Sequence, residues 1–246
     1  IEQMMEVNIE GTANIVNTCL DYPDIKLVHV SSIAALGHPK KIGQQISESD
    51  EWEDDGSRSN YSKSKYYSEM EVHRAVAEGL KAAIVNPAII LGAGFPEKGS
   101  SKMFKNVYKK FPYYTEGVTG FVDVRDVSSF MINLLDTDLK GGRYILSQGN
   151  YSYRQVFDWM AEGFKVRKPY KQVGPFVRAL VWRLDFIRCL FTGAKPLVTR
   201  ETTKSAFSVQ EYDNSKSKQL LGFEYGDLEL QIKEVCRKLE PILSIG

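Results

Sequence analysis

Apolar residues recur at helical spacing almost from the first residue. Met4, Val7, Ile15, Val16 and Leu20 predict a helix over 3–20. Residues 26–31, Lys-Leu-Val-His-Val-Ser, are β-rich with apolar side chains on both faces, the pattern of a buried parallel strand. A polar, acidic loop is predicted from there to about residue 58 (Glu48, Asp50, Glu51, Glu53, Asp54, Asp55), then a second helix over 61–78. Lys81 to Ile90 is a second buried strand, and Arg143 to Ser147 a further one. Between them, residues 120–137 read as a strand turn and a helix. Helix and strand in alternation imply βαβ units and a parallel sheet.

After residue 150 the alternation stops. Residues 152–163, 175–191 and 228–243 read as helices. The expected fold is α/β: a Rossmann-like doubly wound parallel sheet with a smaller, mostly helical substrate lobe. The dinucleotide-binding part is expected over 1–90 plus about 120–150. The substrate-binding lobe is expected over about 91–119 plus 151–246. The stretch from Phe176 to Phe191 is apolar but carries Arg178, Arg183, Asp185 and Arg188, too short and too charged to span a bilayer. A helix packed into the second lobe is the plainer reading; contact with a membrane surface or a lipophilic substrate is the sharper one.

Composition narrows the class. The 246 residues carry a formal net charge of +1, with 43% hydrophobic and 26% charged residues. Nothing in that balance points to nucleic acid. Cys19, Cys189 and Cys236 have neither metal-ligand nor disulfide spacing, so a metal is not expected and a reducing cytoplasm is the expected compartment. The helical pattern is already under way at residue 3, which predicts an N-terminally truncated chain.

The candidate chemistry lies in Tyr61-Ser-Lys-Ser-Lys65. Four residues apart on a helix, the phenol and the ammonium share one face. A phenol titrates near pH 10 and is a poor acid–base group at neutrality. A fixed cation favours the phenolate and makes proton exchange with a substrate oxygen feasible. Ser32 closes a predicted strand, where open parallel sheets bind their ligands.

Four segments carry a resemblance. Val-Ser-Ser-Ile-Ala-Ala-Leu-Gly (30–37), Tyr-Ser-Lys-Ser-Lys (61–65), Val-Asn-Pro-Ala-Ile-Ile-Leu-Gly-Ala-Gly (85–94) and Phe-Val-Asp-Val-Arg-Asp-Val (121–127) follow the order and spacing of the extended short-chain dehydrogenase/reductases. Asn8 to Asn14 resembles that family's preceding helix, and Asp213 to Phe223 a late motif. The chain looks most similar to the dihydroflavonol-reductase-like members, within what is also called the NAD-dependent epimerase/dehydratase family.

The resemblance implies roles. Tyr61 is the expected general acid/base. Lys65 is expected to lower the tyrosine's pKa and to hold the nicotinamide ribose. Ser32 is expected to donate to the substrate oxygen, with Ser31 its neighbour on the cofactor side. Asn86, Pro87, Ala88 and Ile89 are expected to line the nicotinamide, Asn86 also with a structural part. Asp126 is expected to cap the following helix, and Asn8 to lie near the site. The implied cofactor is NAD or NADP, and the implied partners are a small-molecule substrate and a second copy of the chain, through the helices at 3–20 and 61–78. The family's Gly-x-x-Gly-x-x-Gly phosphate loop is absent, so about two βαβ units are expected ahead of Ile1.

Three functions follow from this. The first is a reductase or dehydrogenase of a small, lipophilic or aromatic carbonyl or alcohol. The second is a sugar-nucleotide epimerase or dehydratase, for which Lys102, Lys105, Lys109 and Lys110 are candidate diphosphate contacts. The third is a nicotinamide-binding sensor or structural protein without catalysis.

Overall fold

The computed structural model describes residues 2–39, 41, 43–174 and 206–244. Helix α1 (Glu2–Leu20) leads into strand β1 (Lys26–Val30), a 3-10 turn (Ile33–Ala35) and helix α2 (Asn60–Ala77). Strands β2 (Lys81–Pro87) and β3 (Ile89–Leu91) follow, then helix α3 (Ser101–Tyr108) and strands β4 (Tyr113–Tyr114) and β5 (Val118–Asp123). Helix α4 (Val124–Leu135), strands β6 (Arg143–Leu146) and β7 (Gly149–Ser152), helix α5 (Tyr153–Gly163) and strand β8 (Lys171–Gln172) continue the order. Helices α6 (Ser215–Leu221) and α7 (Leu228–Ser244) close it. The helix expected over 175–191 lies outside the described residues.

The chain divides into two units. The first comprises 1–90, 120–149 and 211–226; the second comprises 91–119, 150–210 and 227–246. Residues 211–226, which the sequence reading placed in the second lobe, belong to the first unit.

In the first unit β1, β2 and β6 form a parallel sheet in the order β1-β2-β6. Lys26 to Val30 pair in register with Lys81 to Val85, and Ile84 to Pro87 with Arg143 to Leu146. β2 is central, and every residue after Lys81 is buried. Its alternating side chains feed two cores. Ala82 and Ile84 pack with Val16, Val72 and Ala75 of α1 and α2. Ala83 and Val85 pack with Val127, Phe130 and Leu134 of α4. Helices therefore cover both faces of the central strand, which explains its unbroken apolar sequence. Each large aliphatic side chain so buried contributes about 1.5–3 kcal/mol.

The expectation of a fully buried strand fails for β1. Its one partner among the described residues is β2, its ends are exposed, and its middle three residues are half-buried. The acidic loop is also less solvated than its composition implies. Asp50 is buried, and its carboxylate accepts from the Ser47 amide at 2.7 Å. Gly37 packs so tightly on this loop that a Cβ there would collide with the carbonyl oxygens of Asp50 and Glu51.

The second unit packs α3, α5 and α7 around Phe104, Met160, Ile232, Cys236 and Leu239. Strands β4 and β8 pair in parallel beside them. Among the described residues no helix is long and apolar enough to cross a membrane.

Candidate active site

Ser59 starts α2. Its hydroxyl accepts from the Ser62 amide at 3.0 Å, satisfying one of the helix's free first-turn donors. That cap places Tyr61 in the first turn, 43% exposed. Lys65 follows one turn later on the same face. Two hydrogen bonds fasten this helix across the carboxyl end of β1. Lys65 Nζ donates to Val30 O at 3.1 Å, and Ser62 Oγ donates to Ala34 O at 2.6 Å. They bracket Ser31 and Ser32.

Ser32 is the N-cap of the 3-10 turn, its hydroxyl accepting from the Ala34 amide at 3.2 Å. Its side chain is half-buried, and its hydroxyl proton is not used by that contact. The Ser31 amide donates to Val85 O at 2.8 Å, but the buried Ser31 hydroxyl has no hydrogen-bond partner among the described residues. On the next strand Asn86 is completely buried. Its Nδ2 donates to Ser32 O at 3.0 Å and to Glu69 Oε1 at 2.6 Å; its Oδ1 has no partner among the described residues. Pro87 ends β2, the Ala88 amide is taken by Leu146 O at 2.9 Å, and Ile89 opens β3 half-buried. Ala88 therefore has no free backbone donor to offer a ligand.

Burial pulls the Lys65 ammonium below the ordinary lysine range, and the Glu69 carboxylate opposes that pull. His29 is held down at about 4, first by burial and then by the Lys65 charge. Its Nε2 lies 3.4 Å from Ser68 Oγ, so a neutral imidazole faces Lys65. An open cleft of about 410 Å³ runs beside them, lined among others by Asn8, Thr12, His29, Val30 and Lys65. Asn8 Nδ2 donates to Ser64 Oγ at 3.0 Å, and Ser64 Oγ donates to Tyr61 O at 2.9 Å. Asn8 thus reaches the backbone of Tyr61 through one hydroxyl.

Three residues here are not among those the sequence predicts for the site. Glu69, Arg143 and Ser62 each contact an element that carries a candidate site residue. Glu69 had a signal, since it lies one further turn along the face of Tyr61 and Lys65. Arg143 had none, because its partner is remote in sequence. Asp126 requires a correction. The N-cap of α4 is Asp123, whose carboxylate accepts from the Arg125 amide at 2.8 Å and also pairs with its guanidinium. Asp126 instead accepts from the Gly226 amide at 3.2 Å. Of the candidate diphosphate contacts, Lys105 pairs with Glu97. Among the described residues no cluster fits a metal ion.

A parallel α/β sheet with a serine at a strand's carboxyl end, and a tyrosine and lysine on the helix that follows, defines a protein of the short-chain dehydrogenase/reductase class. The match to known proteins is more specific. Residues 1–146, more than half of the chain, fit the model of the NAD dependent epimerase/dehydratase family, and the chain belongs to that family. It is 24% identical over 229 residues to sterol demethylase protein B of Methylococcus capsulatus, covering 90% of this chain and 68% of that one. It is 27% identical over 229 residues to a protein of Synechocystis sp. provisionally named dihydroflavonol 4-reductase, covering 90% and 66%. The chain thus spans about two thirds of these relatives' length. Among solved structures, that of gox2253 superposes with a TM-score of 0.80 at 25% identity, over 98% of this chain and 74% of that one. PA4631 of Pseudomonas aeruginosa, a nucleoside-diphosphate-sugar epimerase, superposes with a TM-score of 0.79 at 17% identity, over the same shares.

Proposed function

We propose that this chain carries the reacting half of an NAD(P)-dependent oxidoreductase that reduces a carbonyl or oxidises a secondary alcohol. The observation that supports this most strongly is the double fastening of α2 across Ser31 and Ser32, which leaves the Tyr61 phenol exposed beside a strand end. The residues present fit the nicotinamide-ribose end of the cofactor. The Lys65 ammonium gives one of its three hydrogens to Val30 O, leaving donors for ribose hydroxyls. Ser31 Oγ and Asn86 Oδ1 are buried polar atoms without partners among the described residues, suited to a polar ligand group or a water that bridges to one. The pyrophosphate end has no glycine-rich turn in this sequence.

A bound nicotinamide supplies hydride donation and acceptance. The chain supplies the proton and the positioning. Tyr61 Oη gives a proton to the carbonyl oxygen in reduction, or takes one from the hydroxyl in oxidation. Ser32 Oγ donates to the same oxygen and stabilises the charge developing there. Lys65 holds the ribose and places a positive charge beside the phenol.

The names of the two relatives, one with a sterol and one with a dihydroflavonol, support a lipophilic or aromatic substrate. A homodimer through α1 and α2 belongs to the same proposal; α1 leaves Val7 and Ile15 exposed. Oxidation of reduced cofactor over a panel of aromatic and lipophilic ketones and aldehydes tests the reading. Turnover on that panel is expected, together with no thermal stabilisation by sugar nucleotides. Stabilisation by sugar nucleotides without turnover on the panel would replace the reading with an epimerase or dehydratase.

A further inference from the structure

Glu69 is fully buried, and among the described residues its carboxylate is held by Arg143 and Asn86. Its Oε2 accepts from Arg143 Nη1 at 3.1 Å, across from β6. Its Oε1 accepts from Asn86 Nδ2 at 2.6 Å, and that same nitrogen donates to Ser32 O at 3.0 Å. Arg143 is itself fixed, since its Nη2 donates to Glu48 O at 2.6 Å, and Glu48 Oε1 accepts from the Ile145 amide at 2.8 Å. A buried carboxylate is tolerated only when it is paired and hydrogen-bonded, and this one is both. Stability alone does not call for such a pair, because hydrophobic residues of similar volume commonly replace one at no cost.

We propose that Glu69 is a positioning residue: anchored by Arg143, it fixes Asn86 against the carbonyl of Ser32 and presents its charge to the ammonium of Lys65. The inference rests on the reading of Ser32, Tyr61 and Lys65 as the reacting site. Glu69 is one helical turn from Lys65, and Lys65 is one turn from Tyr61, so a single helix face carries the acid, the cation and the phenol. The amide of Asn86 spends both its hydrogens on this network, which pins the strand end that presents Ser32. Lys65 is faced by neutral His29 from β1, by Asn8 and Thr12 of α1 along the cleft, and by Glu69 of its own helix. Glu69 is faced by Arg143 from β6 and by His73 of its own helix. Glu69 is therefore the one acid among the groups named around Lys65.

The test uses the paired variant Glu69→Gln/Arg143→Met, which removes both charges and leaves neither buried alone. In the whole protein with lysine labelled at the side-chain carbon next to nitrogen, the Lys65 resonance is followed against pH by NMR. The proposal expects Lys65 to lose its proton at lower pH in the variant. It also expects kcat to fall about tenfold to a hundredfold, with KM for the cofactor much less affected, as a displaced reacting group does. An unshifted Lys65 in the folded variant overturns the proposal, whatever turnover does. Because the titration needs no substrate, it decides the role of Glu69 even if the protein proves not to be an oxidoreductase. Should the paired variant fail to fold, Glu69→Gln alone is read in the same way.

Discussion

His29 shows how one side chain registers the electrostatics of this site. Its ring is half-buried beside Lys65 and titrates at about 4 instead of 6.5, chiefly through burial. Between those two values the unfolded chain binds a proton at His29 and the folded protein does not, so stability rises with pH across the window and is lost on acidification. The 6.5-to-4 shift corresponds to at most about 3 kcal/mol lost by pH 4. Urea unfolding of wild type and His29→Asn at several pH values checks this. The difference in stability between them is expected to shrink as the pH falls from 6.5 towards 4, because the variant lacks that proton. A pH-independent difference would show that His29 does not titrate in this way. Side chains of this kind were only partly legible in the sequence. Tyr61 and Lys65 announced themselves by spacing, and Ser32 by its place after a β-rich run. Glu69 carried the same helical spacing, but a buried glutamate reads as a surface one until its partner is known, and Arg143 is brought to it only by the pairing of β6 with β2.

Elements were the more legible scale, because period and length are local properties. The spans of α1, α2, β2, β6, α5 and α7 all lie within a few residues of what hydrophobic pattern predicts. Solvation was not legible, since it depends on what lies beside an element. β1 has the sequence of a buried strand but stands at the end of its sheet among the described residues. The acidic loop has the composition of a surface segment but lies against Gly37. Helix capping was misread for a related reason: Asp123 and Asp126 both stand near the start of α4, and only the extended backbone of Asp123 makes it the cap. The packing of Gly37 carries its own prediction. Adding a methyl there forces backbone carbonyls apart, which no side-chain rotation relieves, so Gly37→Ala is expected to lower stability by about 1–3 kcal/mol. Thermal unfolding reads it, and a variant as stable as wild type would mean that the loop relaxes freely.

At the scale of the molecule, the chain crosses between its two units inside or beside β3, β5 and β7, and again on either side of residues 211–226. The return of 211–226 was not readable from composition. It becomes clear from Phe223, which stands edge-on to Phe130 of α4 at 5.2 Å, and from Asn214, whose amide donates to Ser147 O at 2.5 Å. That segment helps close the core on one face of β2, while α1 and α2 close the other. The consequence for function is that Ser32, Tyr61, Lys65, Asn86, Glu69 and Arg143 all belong to one unit. The central claim is that Tyr61 moves the proton in that first unit. It is tested most directly by turnover of Tyr61→Phe on the best substrate of the carbonyl and alcohol panel, with cofactor affinity measured on the same sample. The account predicts turnover lower by about 10²–10⁴-fold with cofactor affinity retained; turnover equal to wild type would contradict it.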